Sequence, residues 1–246
     1  MAEYAVLKNA PIIEALIDIR IRMKEDLHVG HFDTLADSIS NEYPEKKKHH
    51  RWEGKLEFKK GEQPFSDIAE TVNGYVFSSA DKKQILQARL DGFTLSRLKP
   101  YEIWDRFRDE AQRLWKKYSE ITSPEITRVA VRFINKLEIP LPIRDFSDYL
   151  TASPSVPAGL PQSVSGFLTR IVIHEPSIDA AAIITQTLEQ IVSPDILPIF
   201  LDIDAFKQKP EGISEEEAWQ ILEHLRNFKN KIFFESITEK AKELFL

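Results

Sequence analysis

The 246-residue chain has no cysteine, which removes disulfide frameworks, thiol nucleophiles and thiolate metal sites together. Glycine is scarce: the eight present stand singly, so no Gly-x-Gly turn or P-loop occurs, and Rossmann and P-loop cofactors are not expected. There is no Gly-x-Ser-x-Gly elbow either, which leaves nucleophilic catalysis without a carrier. No apolar run approaches the roughly 18 to 20 residues of a bilayer span. The opening Met1-Ala2-Glu3-Tyr4 lacks the basic and apolar regions of an export signal. No membrane association and a cytoplasmic location are the expectations. A net charge of −6 argues against a dedicated nucleic-acid binder.

What is present is material for a large core: the chain is 42% hydrophobic and holds fifteen Phe, six Tyr and four Trp. That much burial offsets chain entropy and excludes disorder as the main state. Ile17, Ile19 and Ile21 alternate with Asp18, Arg20 and Arg22, the period of a strand with one wet face. Phe32, Leu35, Ile39 and Tyr43 step at helical spacing before Pro44. The basic run Lys46 to Arg51 reads as a loop entering a strand over 52–60. Strands at 75–80, 84–90 and 93–98 follow, the last two joined at Asp91-Gly92, a hairpin signal. Pro100 opens a helix whose apolar stripe runs from Tyr101 and Trp104 to Trp115 and Tyr118. Beyond it come a long strand at 126–139, a Pro-rich crossing with a short helix at 145–150, and strands at 166–174, 181–191 and 197–206. Ser214 with Glu217, and Ser236 with Glu239, read as capping boxes of two closing helices.

The two halves repeat one order of elements: strand, short helix, antiparallel strands, long helix. A shift of 115 residues lays Ile19 on Ile134, Asp33 on Asp148, Leu35 on Leu150 and Trp104 on Trp219. The expectation is an α+β fold made of related halves, 1–120 and 121–246. Their largely antiparallel sheet should be continuous, with helices on one side, in one globular body. Trp104 and Trp219 should then be matching core anchors.

Several stretches resemble a sporadically distributed prokaryotic family of proteins of unknown function. They are Asn9-Ala10-Pro11-Ile12-Ile13-Glu14-Ala15, then Asp91-Gly92-Phe93 through Ser96-Arg97-Leu98 with Tyr101 and Trp104. Thr127 to Asn135, Leu201-Asp202-Ile203-Asp204 and Phe233 to Thr238 continue the likeness along the chain. The resemblance implies a bacterial or archaeal, soluble protein. It assigns no catalytic residue.

Among chemical candidates, Asp202 and Asp204 stand two apart on a strand and share a face, as a Mg²⁺-holding pair would. Arg128 and Arg132, like Arg20 and Arg22, also lie on one strand face and suit an anionic ligand or cross-strand carboxylates. Lys46, Lys47, Lys48, Arg51 and Trp52 combine charge with a stacking ring, suited to phosphate and base or to the protection of a sheet edge. The six histidines form no metal-ligand spacing. The leading expectation is a non-enzymatic interaction or regulatory protein with a protein partner and no cofactor. The alternatives are a metal-dependent phosphate-chemistry enzyme at Asp202 and Asp204, and a nucleic-acid-binding module; homo-oligomerisation is open.

Overall fold

The structure is a computed structural model and describes residues 4, 7–57, 65–188 and 194–246, with backbone alone at 53–57 and 65–69. Strand alternation sets the architecture. In β1 (Ile12–Ile21), Ala15, Ile17, Ile19 and Ile21 are buried on one face, and Asp18 and Arg20 project from the other. The further strands are β2 (Glu45–Glu57), β3 (Phe65–Ser78), β4 (Gln84–Arg89), β5 (Gly92–Leu98), β6 (Ile126–Pro140), β7 (Phe167–Glu175), β8 (Ala180–Leu188) and β9 (Ile196–Ile213). These strands form one sheet in the order β2-β3-β4-β5-β1-β6-β9-β8-β7, and neighbouring strands are antiparallel throughout.

Among the described residues the helices are α1 (Asp33–Ile39), α2 (Trp104–Thr122), α3 (Glu215–Ser236) and α4 (Glu239–Glu243), with 3-10 turns at Val29–Phe32 and Phe146–Asp148, the latter where a short helix over 145–150 is expected. Trp115 and Tyr118 of α2 pack on Phe93, and Lys229 of α3 lies over Phe133. Phe93 pairs with Ile19, and Phe133 with Ala15, all on one face, so α2 and α3 cover the same side of the sheet. They also touch each other: the Trp104 indole N–H donates to Glu223 at 2.7 Å. The fold is therefore α+β, as the patterning predicts.

Several expected boundaries move. The basic run is not a loop, because Lys46 to Arg51 lie within β2, an end strand of the sheet. The expected ends at 58–60 and 189–191 fall outside the described residues. Helix α2 begins at Trp104 and not at Pro100, leaving Tyr101 to wedge edge-on against Phe133 with centroids 5.3 Å apart. At the β4–β5 hairpin the turn residues are Leu90 and Asp91, and Gly92 is already in β5 opposite Arg89. Ser214 caps α3 by accepting from the Glu217 N–H. Ser236 instead ends α3, donating to Ile232 O, and Thr238 caps α4. The division at 120/121 falls inside α2, which runs on to Thr122.

Outward from the central β1–β6 ladder, the strands run β5, β4, β3, β2 on one side and β9, β8, β7 on the other. The 115-residue shift does not fit this arrangement at the strands. Ile19 is fully buried on the helix side, whereas Ile134 lies beside Glu14 and Asp202 on the opposite face. An odd shift inverts the pleat, so only an even one keeps buried residues on buried residues. Trp219 differs too: it is only partly buried, against 5% exposure for Trp104.

Candidate functional site

The sheet face turned away from the helices carries the charged candidates. Because β4, β5, β1, β6 and β9 are consecutive in the sheet, residues distant in sequence stand in rows: Gln87, Thr94, Asp18, Ala130 and Phe206 form one row. Asp18 is its hub. It accepts from Arg20 Nε at 3.0 Å, Arg89 Nη2 at 3.1 Å, Arg128 Nη1 at 3.0 Å and Thr94 Oγ1 at 2.6 Å. Burial pushes this carboxyl up, but the three guanidiniums and the Thr94 hydroxyl outweigh it and hold it below the usual carboxylate range.

Arg128 links this hub to β9, its Nη2 lying 3.2 Å from Asp204 Oδ2, while its guanidinium sits 4.6 Å from the Phe206 ring centroid. Burial pushes Asp204 up, opposed by Arg128 and Arg132. Arg132 forks onto Asp202, with Nε to Oδ1 at 2.8 Å and Nη2 to Oδ2 at 2.5 Å. A fork of this kind uses both carboxylate oxygens that a hard cation would need. Among the described residues no three His, Asp or Glu side chains group to hold a metal.

A second node forms at the β4–β5 turn. Asp91 receives Arg89 Nε at 3.3 Å, Asn73 Nδ2 at 3.1 Å and Arg20 Nη1 at 3.4 Å, and Arg51 Nη1 stands 3.8 Å away. Asn73 reaches it because it is the extra residue of a bulge between the His49–Gly74 and His50–Val72 pairs. A Cβ at Gly74 would lie 2.1 Å from Ala88 O, so only glycine fits there. His49 lies beside this node with its Nδ1 buried and unpartnered. Burial, with Arg89 and Arg20 adding to it, keeps its imidazole less basic than usual.

The structure thus gathers Arg20, Arg51, Arg128 and Arg132 along one face. Arg22 turns away, donating to Pro210 O at 2.9 Å and pairing with Glu125. Lys46 pairs with Asp33 at 2.6 Å and lies over the Tyr75 ring, while Lys47, Lys48 and Trp52 project outward from β2. Arg89 was absent from the expected set, although it is the most buried arginine of the face at 3% exposure. The signal for it was available: Leu86 and Ala88 alternate with Gln87 and Arg89 before the hairpin turn. Chemically the face is a lattice of alternating guanidinium and carboxylate groups, each satisfying its neighbour. No family model matches the chain, and no curated protein matches it.

Proposed function

We propose that this chain is a non-enzymatic interaction protein, a soluble, cytoplasmic regulatory or accessory partner in a prokaryote and a relative of the family its motifs resemble. The observation that carries the reading is the engagement of the paired carboxylates: Asp202 is forked by Arg132 and Asp204 is bonded by Arg128. An acidic pair used for metal chemistry needs its oxygens free, whereas an arginine-locked pair stiffens a surface without offering a reactive group. The mirrored strand order about β1 and β6 supports an origin by internal duplication.

Two measurements test this. Affinity capture from the native host should return a stoichiometric protein whose binding protects a defined part of the surface from hydrogen exchange. Calorimetric titration with Mn²⁺ should give no tight one-to-one binding; such binding, lost in Asp202→Ala, would favour the phosphate-chemistry enzyme instead. A nucleic-acid reading draws on one feature, Trp52 at 63% exposure next to Arg51 on a basic edge strand. Salt-sensitive binding of single-stranded DNA that is lost in Trp52→Ala would favour it.

A further inference from the structure

Partly and fully buried arginines of this fold meet carboxylates: Arg89 has Asp18 and Asp91, Arg128 has Asp18 and Asp204, and Arg108 has Glu223. Two neighbouring cations on α3 do not. Lys229 is 7% exposed, yet among the described residues its ammonium has no ion pair and no hydrogen bond, only the Phe133 ring beside it. A lysine buried without a partner is rare, because nothing offsets the desolvation of its charge. Arg226 stands three residues earlier, half-buried on the same side of the helix, and it too lacks an ion pair or a hydrogen bond among the described residues. Its positive charge opposes that of Lys229. Tyr101 completes the group. Its ring meets the same Phe133, its phenol makes no hydrogen bond among the described residues, and it lies in the field of Arg226.

The surroundings leave these three donors without an anion. Beside Phe133 on the helix face, the adjoining strands offer Ala15 and Ile203, both apolar. The two carboxylates whose charge acts on Tyr101, Glu223 and Asp105, are both engaged by Arg108. We propose that Lys229, Arg226 and Tyr101 bind the carboxylate group of a small, singly charged organic anion. The ammonium and the guanidinium attract the charge, Arg226 brings the planar fork that a carboxylate fits, and the phenol donates a further hydrogen bond. Burial of Lys229 restricts the ligand to a small molecule, which enters past the half-buried Tyr101 and Arg226. Glu223 and Asp105 close by oppose a second negative charge and so disfavour a phosphate dianion. The site goes beyond the protein partner proposed above and does not depend on it.

Acetate is the probe. The chain is labelled with isotope-enriched lysine, and the Lys229 signal, assigned by its absence in Lys229→Met, is followed by NMR through a pH titration. Burial and Arg226 bring the Lys229 amine down to about 7. A carboxylate held against the ammonium favours its protonated form, so acetate should raise that midpoint and chloride at equal ionic strength should not. In Arg226→Gln the acetate dissociation constant should rise roughly tenfold or more, the loss of one charge-assisted hydrogen bond. Tyr101→Phe keeps the ring against Phe133 and removes only the hydroxyl; it should weaken acetate several-fold with an unchanged thermal melt. A midpoint that acetate moves no further than chloride does would overturn the proposal. So would an acetate response that survives intact in both Arg226→Gln and Tyr101→Phe. Inorganic phosphate binding more tightly than acetate would overturn the assignment to a carboxylate.

Discussion

Lys229 of α3 holds its ammonium nitrogen 3.6 Å from the centroid of the Phe133 ring on β6. The contact places a cation beneath a helix, against the centre of the core. Burial, reinforced by Arg226, pushes the Lys229 amine down from 10.5 to about 7.

A pH-dependent stability follows. The unfolded lysine keeps its proton up to its ordinary range, so between about 7 and 10.5 the unfolded chain binds more protons and stability rises with pH. Below that window the full penalty of burying the charge is present. Lys229→Met, of similar shape and no charge, should raise the unfolding free energy from urea titration near pH 6 by on the order of 1–4 kcal/mol, the gain shrinking toward pH 10. A lower midpoint for the variant at pH 6 would mean that attraction to the Phe133 ring outweighs desolvation.

Asp18 should matter more than Asp202. Removing the hub takes one carboxylate from Arg89, Arg20 and Arg128 at once, leaving them only Asp91 and Asp204, and Arg89 is buried. Asp18→Ala should cost about 3–5 kcal/mol, the range for breaking a buried ion pair. Asp202→Ala frees only Arg132, which is half exposed, and should cost about 1 kcal/mol. With its carboxyl held low, Asp18 contributes stability that is present above its unfolded pKa and lost as pH falls through the folded value. Equal losses in urea titrations of the two variants would remove Asp18 from its central place.

Gly74 and Gly30 form a matched test of close approach. A methyl at Gly74 would meet Ala88 O at 2.1 Å and the Arg89 Cα at 2.7 Å, both backbone atoms that cannot swing aside. Gly74→Ala should destabilise by about 1–3 kcal/mol or more, as overpacking does. Gly30, with nothing within 4 Å, should accept alanine with little change. Thermal melts of the pair decide it.

Trp104 and Trp219 should separate cleanly. Trp104 is buried and bonded to Glu223, so Trp104→Ala should cost about 3–5 kcal/mol. Trp219 is only partly buried, and its alanine variant should lose about half of that or less. Equal losses would restore the two tryptophans as matching anchors.

The contrast between these tryptophans shows what the sequence exposed. Period 2 in β1 and β6 and the stripe of α2 are local regularities, and each correctly identified its buried side. The basic run in β2 was misread because its side chains do not alternate in polarity. Pairing with β3, and not burial, makes it a strand. The sequence narrows the carboxylate partners of Arg128 and Arg132 to Asp18, Glu57, Asp202 or Asp204, and the structure uses Asp18, Asp202 and Asp204. Arg89 joined them only through strand order, which places β4 two strands from β1. The shift of 115 failed for a related reason: identity at single positions ignores the pleat, which the register makes explicit.

The β1–β6 ladder also governs the order of events during synthesis. On one side β1 pairs with β5, which is made before α2, yet its other side waits for β6, which begins only at Ile126. Until that segment leaves the ribosome, β1 presents an open edge of Ile12 to Ile21 to its surroundings. A nascent chain halted after α2 would therefore hold β1 paired with β5 on one edge and open on the other. Arrival of β6 closes that edge, so completion of the central ladder is the step that commits the chain to its final form.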